Sequence, residues 1–185
     1  MRVIAGEKRS IPLLSVPGKD TRPTTDRIKE TLFNIISADV PGSNFLDLYA
    51  GSGQIGIEAL SRGAKFCVFV ENDRNAASVI EKNLKKTNLE DSSRLINRDA
   101  EAALSGLRLQ NGVFDIVFID PPYALHREKE LLQRLKDEAL IDENSVVIIE
   151  ADMKRDANEI IAEGFELTRD KSYKTNRHLF LRLTT

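Results

Sequence analysis

The chain has 185 residues, with 27 Lys and Arg against 29 Asp and Glu for a net charge of −2. At 41% hydrophobic and 30% charged it fits one globular domain, or one with a short appendage, and excludes a disordered chain or a global polycation. The single cysteine, Cys67, excludes an intrachain disulfide and any multi-cysteine zinc or iron–sulfur site. The longest apolar runs are about a quarter of the ~20 residues of a membrane span. The polar residues 1–10 hold no apolar signal core, so the expectation is a cytoplasmic protein with neither metal nor membrane contact.

Two short strands are expected over residues 2–5 and 11–16, forming a small hairpin, followed by a turn at Pro17-Gly18. Pro23 disfavours helix at Arg22, Thr24 or Thr25 can cap, and Ile28, Leu32, Ile35 and Ile36 share one helical face. Residues 1–30 carry seven basic side chains against four acidic ones, which reads either as ordinary charge fluctuation or as a local patch for nucleic acid. Beyond Pro41-Gly42, strands and helices alternate. Strands are expected over 45–50, 66–71, 94–97, 114–120 and 145–151. Helices are expected after the glycine-rich turn to about 62, and over 75–86, 100–109, 127–140 and 155–163. Residues 165–172 and 178–183 close the chain as a hairpin. The pattern predicts an α/β, doubly wound, mostly parallel sheet with an antiparallel C-terminal hairpin and a small N-terminal hairpin plus helix. The division drawn from it is an extension over 1–40 and a sheet domain over 41–185.

Three motifs carry chemistry. Gly51, Gly53 and Gly56 match G-x-G-x-x-G between a strand and a helix, where glycines let the chain turn and backbone amides approach a ligand. Glu71, at the end of the next strand, is placed to accept hydrogen bonds from a ribose. These two features describe a nicotinamide dinucleotide site equally well. Asp120-Pro121-Pro122-Tyr123 then ends a strand at the edge where open α/β sheets bind ligands. Two prolines stiffen the backbone and remove two donors, so a carboxylate and a carbonyl can both accept while Tyr123 stacks. That set suits a planar base bearing an exocyclic amine. His126 and His178 read as polar surface residues and Cys67 as buried core. Arg169, Lys171, Lys174 and Arg177 read either as a solvated hairpin or as RNA contacts.

The order of Asp47 and the glycine loop, the acidic strand end and D-P-P-Y resembles class I S-adenosylmethionine-dependent methyltransferases acting on exocyclic amines, with their Rossmann-like sheet. The stretches Arg2-Val-Ile-Ala-Gly6, Arg22-Pro-Thr-Thr-Asp26-Arg27, Glu30-Thr-Leu-Phe-Asn34 and Glu58-Ala-Leu-Ser-Arg62-Gly63-Ala64 narrow the resemblance to the bacterial 16S rRNA guanine-N2 methyltransferase family. Glu7-Lys8-Arg9-Ser10-Ile11-Pro12 departs from that family, whose members often carry a more basic, glycine-containing stretch there.

The resemblance implies methylation of guanine N2 in 16S rRNA, presented within a small-subunit assembly particle, with S-adenosylmethionine as cofactor. It implies that Asp47, Gly51 and Gly53 hold the methionine part and Glu71 the ribose. Asp99 and Ala100 would flank the adenine, although Asp99 reads equally as a helix N-cap. Asp120, Pro121 and Tyr123 would hold the target base, and Arg22 and Arg27 in the basic N-terminal region would grip RNA. Three alternatives stay open: a methyltransferase for adenine N6 or cytosine N4, a nicotinamide oxidoreductase, and a catalytically silent rRNA-binding assembly factor on the same fold.

Overall fold

A computed structural model describes residues 1–17, 25–122 and 124–184. Its centre is a seven-stranded sheet in the order β3-β2-β1-β4-β5-β7-β6. The strands are β1 (Asn44–Leu48), β2 (Phe66–Val70), β3 (Ser93–Ile96), β4 (Ile116–Ile119), β5 (Val146–Asp152), β6 (Phe165–Ser172) and β7 (Asn176–Leu183). The first five pair in parallel, whereas β7 runs antiparallel to both β5 and β6. This is the doubly wound α/β sheet with a closing antiparallel pair that the alternating pattern predicts. The order reverses between β1 and β4, so a crevice opens beyond their carboxyl ends.

The helices are α1 (Asp26–Ile35), α2 (Gln54–Ser61), α3 (Arg74–Thr87), α4 (Ala100–Leu104), α5 (Leu107–Asn111), α6 (Glu128–Asp137) and α7 (Ala157–Ile160). Apolar side chains on the two sheet faces form two clusters. One holds Leu46, Val68, Val117, Val147 and Leu181 against α4 and α6. The other holds Phe45, Cys67, Phe69, Phe118, Ile148 and Phe180 against α1, α2 and α3. Strands buried on both faces explain their nearly unbroken apolar runs.

Four expectations change. The N-terminal hairpin contracts to one antiparallel bridge, Arg2 to Pro12, flanked by hydrogen bonds such as Val3 N to Ile11 O at 3.0 Å. Pro12 lacks an amide donor and Ser10 turns at φ 72°, so the ladder cannot extend. The helix expected over 100–109 breaks at Gly106 (φ 81°) into α4 and α5. The helix expected over 155–163 shortens to Ala157–Ile160. His178, read as a surface residue, is fully buried.

The first 40 residues share the second apolar cluster through Val3, Leu13, Leu32, Phe33 and Val40. They are also fastened by a buried ion network that the apolar periodicity of α1 does not reveal. Lys29 and Glu58 are both fully buried, with Nζ 3.3 Å from Oε2. Glu58 also accepts from the amides of Ile4 and Ala5 and from Arg62 Nε, and Lys29 Nζ donates to Arg2 O at 2.6 Å. Every buried charge here has a partner, which is the condition for tolerating it. Gly6 approaches α2 so closely that a Cβ there would stand 1.8 Å from Ser61 O.

Candidate active site

The glycine loop between β1 and α2 is shaped by carboxylates. Asp47, 2% exposed on β1, points back under the first turn of α2, where its Oδ2 accepts from Gly56 N at 2.9 Å. Glu71, 6% exposed just past β2, accepts from Gly51 N through Oε2 and from Asp73 N through Oε1, both at 2.8 Å. The motif's glycines have different reasons. Gly51 and Gly53 adopt φ 58° and 77°, and no heavy atom lies within 4 Å of a Cβ built on Gly51. A Cβ on Gly56 would meet Phe69 at 2.3 Å and Cys67 at 2.6 Å, so only glycine lets α2 lie on β2. Tyr49, also in this loop, has φ 61°, a strained conformation for a bulky residue.

Burial pushes the Asp47 carboxyl up to about 7, against the Gly56 hydrogen bond and with help from the Glu71 charge. The Cys67 thiol behind it is pushed up by burial and by Asp47 and behaves as core. Burial and the charges of Asp99 and Glu101 push the Tyr49 hydroxyl up to about 12. At the end of β3, Asn97 Nδ2 donates to Glu71 O at 2.7 Å and thereby joins the second and third strand ends. Exposed Asp99 caps α4, its Oδ1 accepting from Glu101 N and Ala102 N. Ala100 is buried behind it. The capping reading of Asp99 is therefore realised, and Oδ2 takes no part in the cap.

Asp120 stands half-buried at the end of β4, one step past Ile119, with its amide 3.4 Å from Leu48 O. Burial, then the charges of Glu150 and Asp47, push its carboxyl well above the usual carboxylate range. Pro121 is buried and Pro122 exposed, and Leu125 N closes a turn on Pro122 O at 2.9 Å. Tyr123 and Arg22 lie outside the described residues. Arg27 is exposed on the first turn of α1 and forms no ion pair among the described residues.

The structure thus gathers Asp47, Gly51, Gly53, Glu71, Asp99 and Asp120 along the carboxyl ends of β1 to β4. Sequence reading missed Glu150 and His178 on the next two strands. His178 Nε2 lies 3.1 Å from Glu150 Oε2, and Asn176 Nδ2 donates to Glu150 Oε1 at 2.7 Å. The one signal available was their position at strand ends, in phase with the inward-facing apolar residues. Among the C-terminal basic residues, Arg177 is held by Asp170 and by Arg155 O. Arg169, Lys171 and Lys174 remain exposed. Among the described residues no group of three or more His, Cys, Asp or Glu is placed to hold a metal ion, and no helix is long and apolar enough to cross a membrane.

A nucleoside bearing a sulfonium cation fits this set of acceptors. The loop offers carbonyls and carboxylates, Gly51 leaves open space, and Gln54 Oε1 at the start of α2 is shielded without a donor among the described residues. A pyrophosphate fits poorly, because the Gly51 and Gly56 amides it would need are already engaged by Glu71 and Asp47.

Known proteins resemble this chain over most of its length. Residues 1–182 match the family described as conserved hypothetical protein 95. The chain is 38% identical over 173 residues to a Bacillus subtilis protein named as a candidate rRNA methyltransferase, YlbH, with 94% of each chain covered. It is 33% identical to the ribosomal RNA small subunit methyltransferase D of Escherichia coli strain K12, covering 92% of this chain and 84% of that one. Among solved structures, yhhF from Escherichia coli, titled as a candidate methyltransferase, superposes with a TM-score of 0.85 at 30% identity. The match covers 99% of this chain and 97% of that one.

Proposed function

This chain belongs to the conserved hypothetical protein 95 family, and from that premise we propose that it methylates the exocyclic N2 of a guanine in small-subunit rRNA, using S-adenosylmethionine. The observation that carries the reading is the acidic bracing of the glycine loop. Glu71 and Asp47 occupy the Gly51 and Gly56 amides, and the Glu71 carboxylate places negative charge where a sulfonium and an ammonium are favoured and a pyrophosphate is not.

When bound, S-adenosylmethionine would supply an already activated methyl group, its S–C bond breaking to leave a neutral thioether as the N–C bond forms and N2 releases one proton to solvent. The chain's own residues bind and aim. Asp47, Gly51 and Gly53 form the floor for the methionine part. Glu71 accepts from the ribose hydroxyls while continuing to hold Gly51. Asp99 uses Oδ2 to accept from the adenine amine beside Ala100.

Guanine N2 is a poor nucleophile because its lone pair is delocalised into the ring. Asp120 and the Pro121 carbonyl accept hydrogen bonds from its N–H groups and hold it in line with the methyl group, while Tyr123 stacks on the base. Such positioning supplies up to roughly 7–11 kcal/mol when orientation is near ideal. The target must be flipped or single-stranded, since N2 inside a stacked duplex cannot reach this alignment. Arg22 and Arg27 contact phosphates of the rRNA, which a small-subunit assembly particle would present, and residues 1–40 act as the RNA-contacting extension of the sheet domain.

Isothermal titration tests the cofactor half: S-adenosylmethionine should bind and NAD should not. NAD binding in preference would overturn it. Tritium transfer from the cofactor to unmodified small subunits tests the substrate half, and absence of transfer would leave the silent assembly factor standing.

A further inference from the structure

The surroundings of Asp120 specify its charge. Ile119 of β4 is in register with Ile149 of β5, so the next residues along these parallel strands, Asp120 and Glu150, stand side by side on one face. Asp47 lies lower on the same face, on the rung of Phe118. Among the described residues no Lys or Arg pairs with Asp120. Two adjacent carboxylates in a poorly solvated site do not both ionise; one keeps a proton.

The neighbours of Glu150 decide which one. Glu150, 8% exposed, has both oxygens engaged, with Asn176 Nδ2 at 2.7 Å from Oε1 and His178 Nε2 at 3.1 Å from Oε2. The Tyr173 hydroxyl lies 3.4 Å from His178 Nδ1, where it can donate and leave the ring proton on Nε2, aimed at Glu150. Phe118 and Phe180 fix the imidazole edge-on, with ring centroids at 5.9 and 6.5 Å. Glu150 therefore receives donors from two sides, as an ionised carboxylate requires, and the shared proton falls to Asp120.

We propose that Glu150, fixed by His178 and Asn176, is a positioning residue that keeps Asp120 in its carboxylic-acid form, so that Asp120 presents both an acceptor oxygen and an O–H donor to the target base. This rests on the reading of the site as one for an exocyclic amine. It also names the edge recognised. An acid matches an amine N–H beside a ring nitrogen acceptor, which on guanine is the N2–N3 edge; a carboxylate would instead match two donors, N1–H and N2–H.

The test compares Asp120→Asn, Asp120→Ala, Glu150→Gln and the double variant Asp120→Asn/Glu150→Gln. Each is checked for unchanged melting and S-adenosylmethionine affinity, then assayed for methyl transfer to small subunits. Asparagine copies the acceptor-plus-donor pattern and cannot ionise. Asp120→Asn should stay within about tenfold of wild type in kcat, whereas Asp120→Ala should lose about a hundredfold or more. Glu150→Gln should lower kcat by about tenfold in the wild-type background with KM unchanged, yet by less than about threefold in the Asp120→Asn background. A purely structural role for Glu150 would cost the same in both backgrounds and would overturn the proposal. So would loss of activity in Asp120→Asn equal to that in Asp120→Ala. Label found on an adenine or cytosine amine in wild type would overturn the guanine reading alone, because the ratios among variants are read on whichever amine is labelled.

Discussion

Glu71→Ala probes the acidic brace most sharply, because one side chain serves the fold and the ligand together. In the free protein it removes the acceptors of Gly51 N and Asp73 N, both 2.8 Å from Glu71 oxygens. Leaving such part-buried amides without partners costs about 1–3 kcal/mol each, so melting should fall by roughly 2–4 °C per kcal/mol in a chain of this size. In the complex the variant also forfeits the ribose interaction, a hydrogen bond to a charged group of about 1.5–3 kcal/mol. That corresponds to roughly a tenfold to hundredfold weaker Kd for S-adenosylmethionine. The assay is titration calorimetry at a temperature where scanning calorimetry shows the variant folded, with RNA affinity followed in parallel by filter binding. RNA affinity should stay within about twofold, since Glu71 is 6% exposed and turned to the glycine loop. An unaltered cofactor Kd in a folded variant would refute the assignment of the ribose to Glu71.

The remaining expectations are spread across the molecule. The Arg22→Ala, Arg27→Ala double variant should bind RNA with a shallower salt dependence, the slope falling by roughly 0.7–0.9 for each phosphate that is no longer neutralised; an unchanged slope would return the basic N-terminal residues to ordinary charge fluctuation. Gly6→Ala should destabilise the protein by roughly 2–4 kcal/mol, because its backbone has φ +82° and a Cβ would stand 1.8 Å from Ser61 O. Gly42→Ala is the control: its φ is +78° but no atom lies within 4 Å, so about 1–2 kcal/mol of conformational strain is all it should cost. Asp47→Asn bears on pH. The folded carboxyl titrates at about 7 against 3.8 unfolded, so the folded state holds the extra proton between those values and wild-type stability falls as pH rises from about 4 to about 7. Denaturant melts should show the variant gaining on wild type across that window and levelling above it. A constant difference from pH 4 to pH 8 would contradict the buried, proton-bearing Asp47.

Much of the architecture was legible because the chain writes it locally. The strands β1, β2, β4 and β5 are short, largely apolar runs followed or closed by acidic residues, Gly or Pro, and the helices α3 and α6 carry clean apolar faces. The missing helix between β6 and β7 announced their antiparallel pairing. The glycine loop, Glu71 and Asp120 were legible because a strand end followed by a turn fixes where a side chain emerges. What was not legible depends on contacts distant in sequence. The burial of Lys29 is decided by Glu58, and that of His178 by Glu150 and Asn176. A lone charged or polar residue in a strand or helix gives no sign of a partner some 28 positions away. The two N-terminal strands failed for a similar reason. Their sequence is β-prone, but the segment spends its amides on Glu58 and on the Ser61 hydroxyl instead of on a ladder.

If the crevice places a guanine N2 before an activated methyl group, the product identifies it. Wild-type protein incubated with labelled S-adenosylmethionine and unmodified small ribosomal subunits, followed by digestion of the rRNA to nucleosides, tests it in one measurement. Label is expected in N2-methylguanosine. Label in N6-methyladenosine or N4-methylcytidine, or none at all, would contradict it.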